Sequence, residues 1–101
     1  MKKKYVFLLM GSHYDPEEHK ACFETEKQIT YILTVRSFEE ACDKVSILEK
    51  EGVGAIELCG AFGKEKAQQL IERTHNKIAI GYVTNEASQN DLFAKFFSNF
   101  G

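Results

Sequence analysis

The sequence predicts a single small α/β domain whose four-stranded, mostly parallel sheet is built from successive β-α units. Three observations carry that reading. Four apolar runs, residues 5–10, 29–35, 55–59 and 78–83, have strand length and are rich in Val, Ile, Tyr or Phe. Segments with helix-start signals lie between and after them. The alternation repeats about every 25 residues, the rhythm of parallel strands joined by right-handed crossovers.

Each element has a local cause. Residues 5–10, Tyr-Val-Phe-Leu-Leu-Met, carry no strongly polar side chain on either face, as expected of a central strand covered on both sides. Asp15-Pro16-Glu17-Glu18 offers an N-cap acid, a proline at the first helical position and a nearby glutamate, which predicts a first helix. Residues 21–27 read as neither helix nor strand. In the second run Thr30 and Thr34 oppose Ile29, Tyr31, Leu33 and Val35, a mixed pattern that suits a strand nearer an edge. Ser37-Phe38-Glu39-Glu40 is a capping box, and Phe38, Ala41, Cys42, Val45 and Leu48 follow on one helical face until Gly52 ends the helix. A third helix runs from Lys64 to about His75, with Ala67, Leu70 and Ile71 inward. The last helix opens at Ser88, and Leu92, Phe93, Phe96, Phe97 and Phe100 form its apolar stripe within residues 88–101.

Two layouts satisfy this order. One is an open, flavodoxin-like sheet with helices on both faces. The other is a half-barrel with helices on one face and a partner subunit on the other. The apolar first strand favours the open sheet.

Composition narrows the function classes. The chain has 101 residues, 44% of them hydrophobic, enough for one core and not for two, so residues 1–101 form one domain. A formal charge of -2 gives no footprint for nucleic acid. No stretch approaches the roughly 20 apolar residues of a membrane span. Lysines 2–4 and the short run after them are too brief for a signal peptide. Cys22, Cys42 and Cys59 are odd in number and lack metal-like spacing, so a reducing, cytoplasmic setting is expected.

In open parallel sheets, ligands bind outside the carboxyl ends of the strands. Those ends place Gly11 to Asp15, Arg36 and Ser37, Cys59 to Lys64, and Thr84 to Glu86 along one rim. Gly60, Phe62, Gly63 and Lys64 form a strand-to-helix turn whose free N–H groups and lysine suit a small anion. The competing reading is a turn that needs positive φ at one glycine and close packing at the other. Glu57, inside a strand, is either a general acid or base, a carboxylate at a solvent-exposed edge, or one paired with Arg36 or a lysine. Cys59 is either a thiol acidified at a helix N-terminus or a small buried hydrophobe. Arg36 adds charge to the rim, and His19, one turn into the first helix, faces either the rim or solvent. His13, Asp15 and His19 do not form a specific ligand pattern, so no metal is expected, and neither reading of the rim needs a cofactor.

Asp15-Pro16-x-x-His19, Phe38-Glu39-Glu40-Ala41 and above all Ile56-Glu57-Leu58-Cys59-Gly60-x-Phe62-Gly63 make the chain similar to a family of small, mostly bacterial proteins of unknown function. The resemblance covers about residues 4–84 and implies a compact α/β domain, with the phenylalanine-rich tail outside the shared region. It brings no catalytic residues with it. The functional expectation is therefore a module binding a small anionic metabolite at the rim. The alternatives are a small enzyme using Glu57 with Cys59 or His19, and a structural subunit of a homo-oligomer joined through the Phe-rich helix.

Overall fold

A computed structural model describes residues 1–98 of the chain. Phe100, assigned to the last apolar stripe, lies outside the described residues. In chain order the elements are β1 (Lys3–Met10), β2 (Ala21–Glu24), β3 (Gln28–Val35), α1 (Phe38–Lys50), β4 (Ala55–Leu58), α2 (Gly63–Arg73), β5 (Ala79–Tyr82), a 3-10 turn (Ala87–Gln89) and α3 (Asn90–Phe97). The strands form one sheet in the order β2-β3-β1-β4-β5. β1 pairs in parallel with β3 and β4, and β5 extends the parallel set beyond β4.

The sheet has five strands rather than the expected four, and the extra one is antiparallel. β2 pairs with β3 as a hairpin, Cys22 opposite Tyr31 and Phe23 opposite Thr30. Its loop is closed by Thr25, whose Oγ1 accepts from the Lys27 and Gln28 N–H groups at 3.2 Å. The predicted first helix does not form. Asp15 does cap a turn: its Oδ1 accepts from the Glu17 N–H, and its carbonyl accepts from Glu18 and His19. The turn ends there because the next residues pair with β3 instead, and edge pairing satisfies more backbone groups than one further isolated turn would.

α1 and α2 start close to where their sequences say. α3 begins at Asn90, two residues beyond the expected opening at Ser88, after a 3-10 turn and without a side-chain cap. Ser37 is the N-cap of α1 and its side chain accepts from the Glu40 N–H. Gly52, at φ +84, ends that helix in the left-handed region that glycine adopts freely.

Both helical crossovers, β3-α1-β4 and β4-α2-β5, advance in the same direction across the sheet. With the usual right hand they place α1 and α2 on one face, where the two helices touch. That face holds the core: Val6, Leu8, Val35, Ile56 and Leu58 from the strands meet Ala41, Val45, Leu48, Ala67 and Leu70 from the helices. The opposite face carries Tyr5, Phe7 and Leu9 of β1, Ile32 of β3 and Glu57 of β4, and none of these belongs to the core. The two-sided layering expected of a flavodoxin-like sheet is therefore not built by α1 and α2. An apolar second face on β1 is real, but the crossovers carry no helix to it. α3 meets the rest of the molecule chiefly through the 3-10 turn.

Candidate functional site

The carboxyl ends of β1, β3, β4 and β5 lie along one edge because those strands are parallel. At its centre β1 and β4 are tied by two bonds. The Cys59 N–H donates to the Leu8 carbonyl at 3.1 Å, and the Met10 N–H donates to Cys59 Sγ at 3.4 Å. From this point the chain diverges. After β1 it turns toward β3 and β2; after β4 it passes through α2 toward β5.

On the β4 side, the Phe62 N–H donates to the Cys59 carbonyl at 3.1 Å, closing a tight turn. Phe62 itself is buried in the core, where it anchors the turn rather than facing a ligand. Gly63 has φ +74, so this is the glycine whose position requires freedom from a Cβ. Gly60 needs no close packing: a Cβ there would stand 3.9 Å from the Val83 carbonyl, an ordinary contact. α2 has no side-chain cap at its N-terminus, and Lys64 beside it is exposed. The first N–H groups of the helix, uncapped by any side chain, lie at the positive end of its dipole.

On the β1 side, the loop folds back on β3. The Gly11 N–H donates to the Val35 carbonyl at 3.0 Å, and the His13 and Tyr14 rings pack with centroids 4.2 Å apart. A Cβ on Gly11 would fall 2.8 Å from the His13 ring, so the ring's position demands glycine. His19 accepts the Asp15 N–H at Nδ1 (2.8 Å), which puts the proton of its neutral ring on Nε2. The His19 carbonyl accepts from the Thr34 hydroxyl at 2.7 Å, pinning the loop to β3.

Arg36, expected to lend free charge, is engaged. Its Nε and Nη2 donate to Glu40 Oε2 at 3.0 and 2.8 Å, and its N–H donates to Glu40 Oε1 at 2.8 Å. These donors, side chain first, hold the Glu40 carboxyl below the usual carboxylate range and push the guanidinium up. The charge of Asp15 also reaches Arg36, so the loop after β1 and the start of α1 are neighbours. Reasoning from sequence missed Glu40 as a partner, although its i+4 spacing from Arg36 was a usable signal.

Glu57 lies on the open face of the sheet, and its Oε1 accepts from the Tyr5 hydroxyl at 3.0 Å. Burial, followed by this hydrogen bond and the carboxylate's charge, pushes the Tyr5 phenol above its ordinary value. Cys59, just beyond the strand, instead bonds Met10 and packs against the core. The two residues expected to share a site are thus engaged with different partners. Tyr5 was not read from the sequence, since only the strand register brings it beside Glu57.

A groove of about 830 Å³ lies elsewhere, beside α1, with Leu33, Ile47 and Val53 among its walls and Lys4, Lys20 and Lys44 at its rim. Among the described residues, no three His, Cys, Asp or Glu side chains gather as metal ligands would. No described helix is long and apolar enough to cross a membrane.

No curated protein and no solved structure matches the chain. A family model does, over residues 3–98, past residue 84 and through the Phe-rich helix that the resemblance had left outside. With nearly its whole length matched, the chain belongs to the family described as a family of unknown function, DUF6506.

Proposed function

We propose that this domain binds a small anionic metabolite at the carboxyl edge of its parallel strands, in the crevice between the loop after β1 and the turn before α2. The observation that carries the reading is the divergence of the chain at the β1–β4 junction, because open α/β sheets bind ligands where neighbouring strand ends lead apart. The uncapped N-terminus of α2, with the exposed Lys64 beside it, supplies N–H donors and positive potential for a phosphate or carboxylate. Gly60 and Gly63 keep the turn low enough for a ligand to approach the backbone. On the opposite lip, His19 offers its Nε2 proton, and Arg36 keeps the lip rigid through Glu40. The three cysteines are free thiols, which supports a reducing, cytoplasmic setting.

A thermal-shift screen against phosphosugars, nucleotides and small carboxylates tests this. A ligand at 100 times its dissociation constant adds about 2.7 kcal/mol, a shift of many degrees in a domain this size. Amide shifts at Cys59, Gly60, Gly63 and Lys64, lost in Lys64→Glu, are the expected result. Silence across the panel, or shifts confined to the groove beside α1, overturns it.

The enzyme reading keeps one supporting observation, the Tyr5–Glu57 donor–acceptor pair on the open face. It requires turnover of a bound ligand that Glu57→Gln abolishes without weakening binding.

A further inference from the structure

Among the described residues, α1 and α2 leave one sheet face to be covered by other means, and α3 meets the rest of the molecule chiefly through the 3-10 turn before it. The open face presents Phe7 and Leu9 from β1 and Ile32 from β3, with Phe23 of β2 beside them 57% exposed. α3 presents Leu92, Phe93, Phe96 and Phe97 at helical spacing, all roughly half to two-thirds exposed. Phe93 stacks on Phe97, and Phe96 meets Phe97 edge to face at 5.0 Å, so the stripe is already ordered as a block. Exposed apolar surface of this kind marks an interface.

We propose that two copies of this chain form a two-fold dimer in which α3 of each copy lies across the open sheet face of the other. The two surfaces are complementary in shape, an amphipathic helix and a bare sheet, and one chain carries both. Reciprocal exchange therefore closes after two copies, whereas a one-way contact would propagate into a filament. Area supports the same answer. Three half-exposed phenylalanines and a leucine present about 400 Å² on each α3. Because each copy both gives a helix and receives one, about 800 Å² per partner is covered, the size of a standard stable interface.

A lipid surface fits less well, because the described part of α3 holds one lysine against one aspartate and lacks the basic polar face of a membrane-surface helix. The electrostatics of the open face also permit coverage. Among the described strand residues, the one carboxylate on this face, Glu57, sits on β4, beside the β2-β3-β1 side where Phe23, Ile32, Phe7 and Leu9 cluster, and already holds the Tyr5 hydroxyl. The dimer is independent of the rim reading, since it uses neither the turn before α2 nor the loop after β1.

Sedimentation equilibrium and isotope-filtered NMR on the full chain test the proposal. Wild type is expected at twice its 11.5 kDa chain mass, with contacts between α3 rings of one copy and Phe7 or Ile32 of the other. Phe93→Glu with Phe96→Glu on the helix, or Ile32→Glu on the sheet, is expected to weaken association by at least about a hundredfold. Each variant is checked for its far-UV spectrum, and Phe23→Glu on the exposed edge strand serves as a second sheet variant if Ile32→Glu does not fold. The decisive step mixes the helix variant with the sheet variant. Their heterodimer keeps one intact helix-on-sheet contact, so association returns in part. A monomeric wild type with α3 folded on its own sheet overturns the proposal. So does a dimer indifferent to the substitutions, or a mixture of folded variants that stays monomeric, or a sheet variant that still dimerises while the helix variant does not, which would indicate helix-to-helix pairing.

Discussion

The two faces of β1 are equally apolar in composition and differently placed. Val6 and Leu8 point to the helices and are fully buried, whereas Tyr5, Phe7 and Leu9 point the other way and remain partly exposed. The difference arises outside the strand, from two crossovers of the same hand that advance in the same direction and so deliver both helices to one side. Hydrophobicity on both faces of a strand therefore favours cover on both. It does not state by what. On one side the cover is intramolecular, and on the other we assign it to a second copy.

Phenylalanine substitutions give the largest contrast between the faces. Phe62, buried against the core, is expected to cost about 3–5 kcal/mol when changed to alanine, because it leaves a cavity beneath the turn. Phe7→Ala on the open face is expected to cost less than half of that in dilute protein, with a loss that grows with protein concentration as the dimer weakens. Urea titrations at two concentrations check both, and equal losses at every concentration would erase the distinction between the faces. A smaller effect belongs to the helix layer alone. Ser37→Ala removes the α1 cap and is expected to lower stability by about 1 kcal/mol without changing association, as followed by the urea midpoint and by sedimentation.

The smallest effect is electrostatic. The Glu40 carboxyl is held low by Arg36, so its contribution is present above the ordinary carboxylate pKa and is lost as pH falls through the depressed folded value. The pair is exposed and screened, so the change is slight. Glu40→Gln is expected to lower stability slightly at neutral pH and leave it unchanged at acid pH, which flattens the acid limb, as followed by urea midpoints across pH.

Much of the site was legible one residue at a time. A positive-φ glycine in the Gly60–Gly63 turn, the Ser37 cap, the stop at Gly52 and the strand ends that make up the rim all follow from local preferences, whereas which glycine takes the positive φ did not. Glu40 as the partner of Arg36 was also within reach, four residues away. The Tyr5–Glu57 pair was not, because the two lie 52 residues apart and meet only through the β1–β4 register. β2 escaped for another reason: it is four exposed residues at an edge, with no buried face to impose a pattern.

The sequence by itself determined the α/β class, the positions of four parallel strands and three helices, and the caps that start and stop α1. It did so because backbone preference and side-chain alternation act between near neighbours. Strand order, the antiparallel edge, the choice of one face for both helices and the stranding of α3 were decided only in three dimensions. They depend on which distant segments pair and on the hand of the crossovers that join them, and no local window of residues contains either.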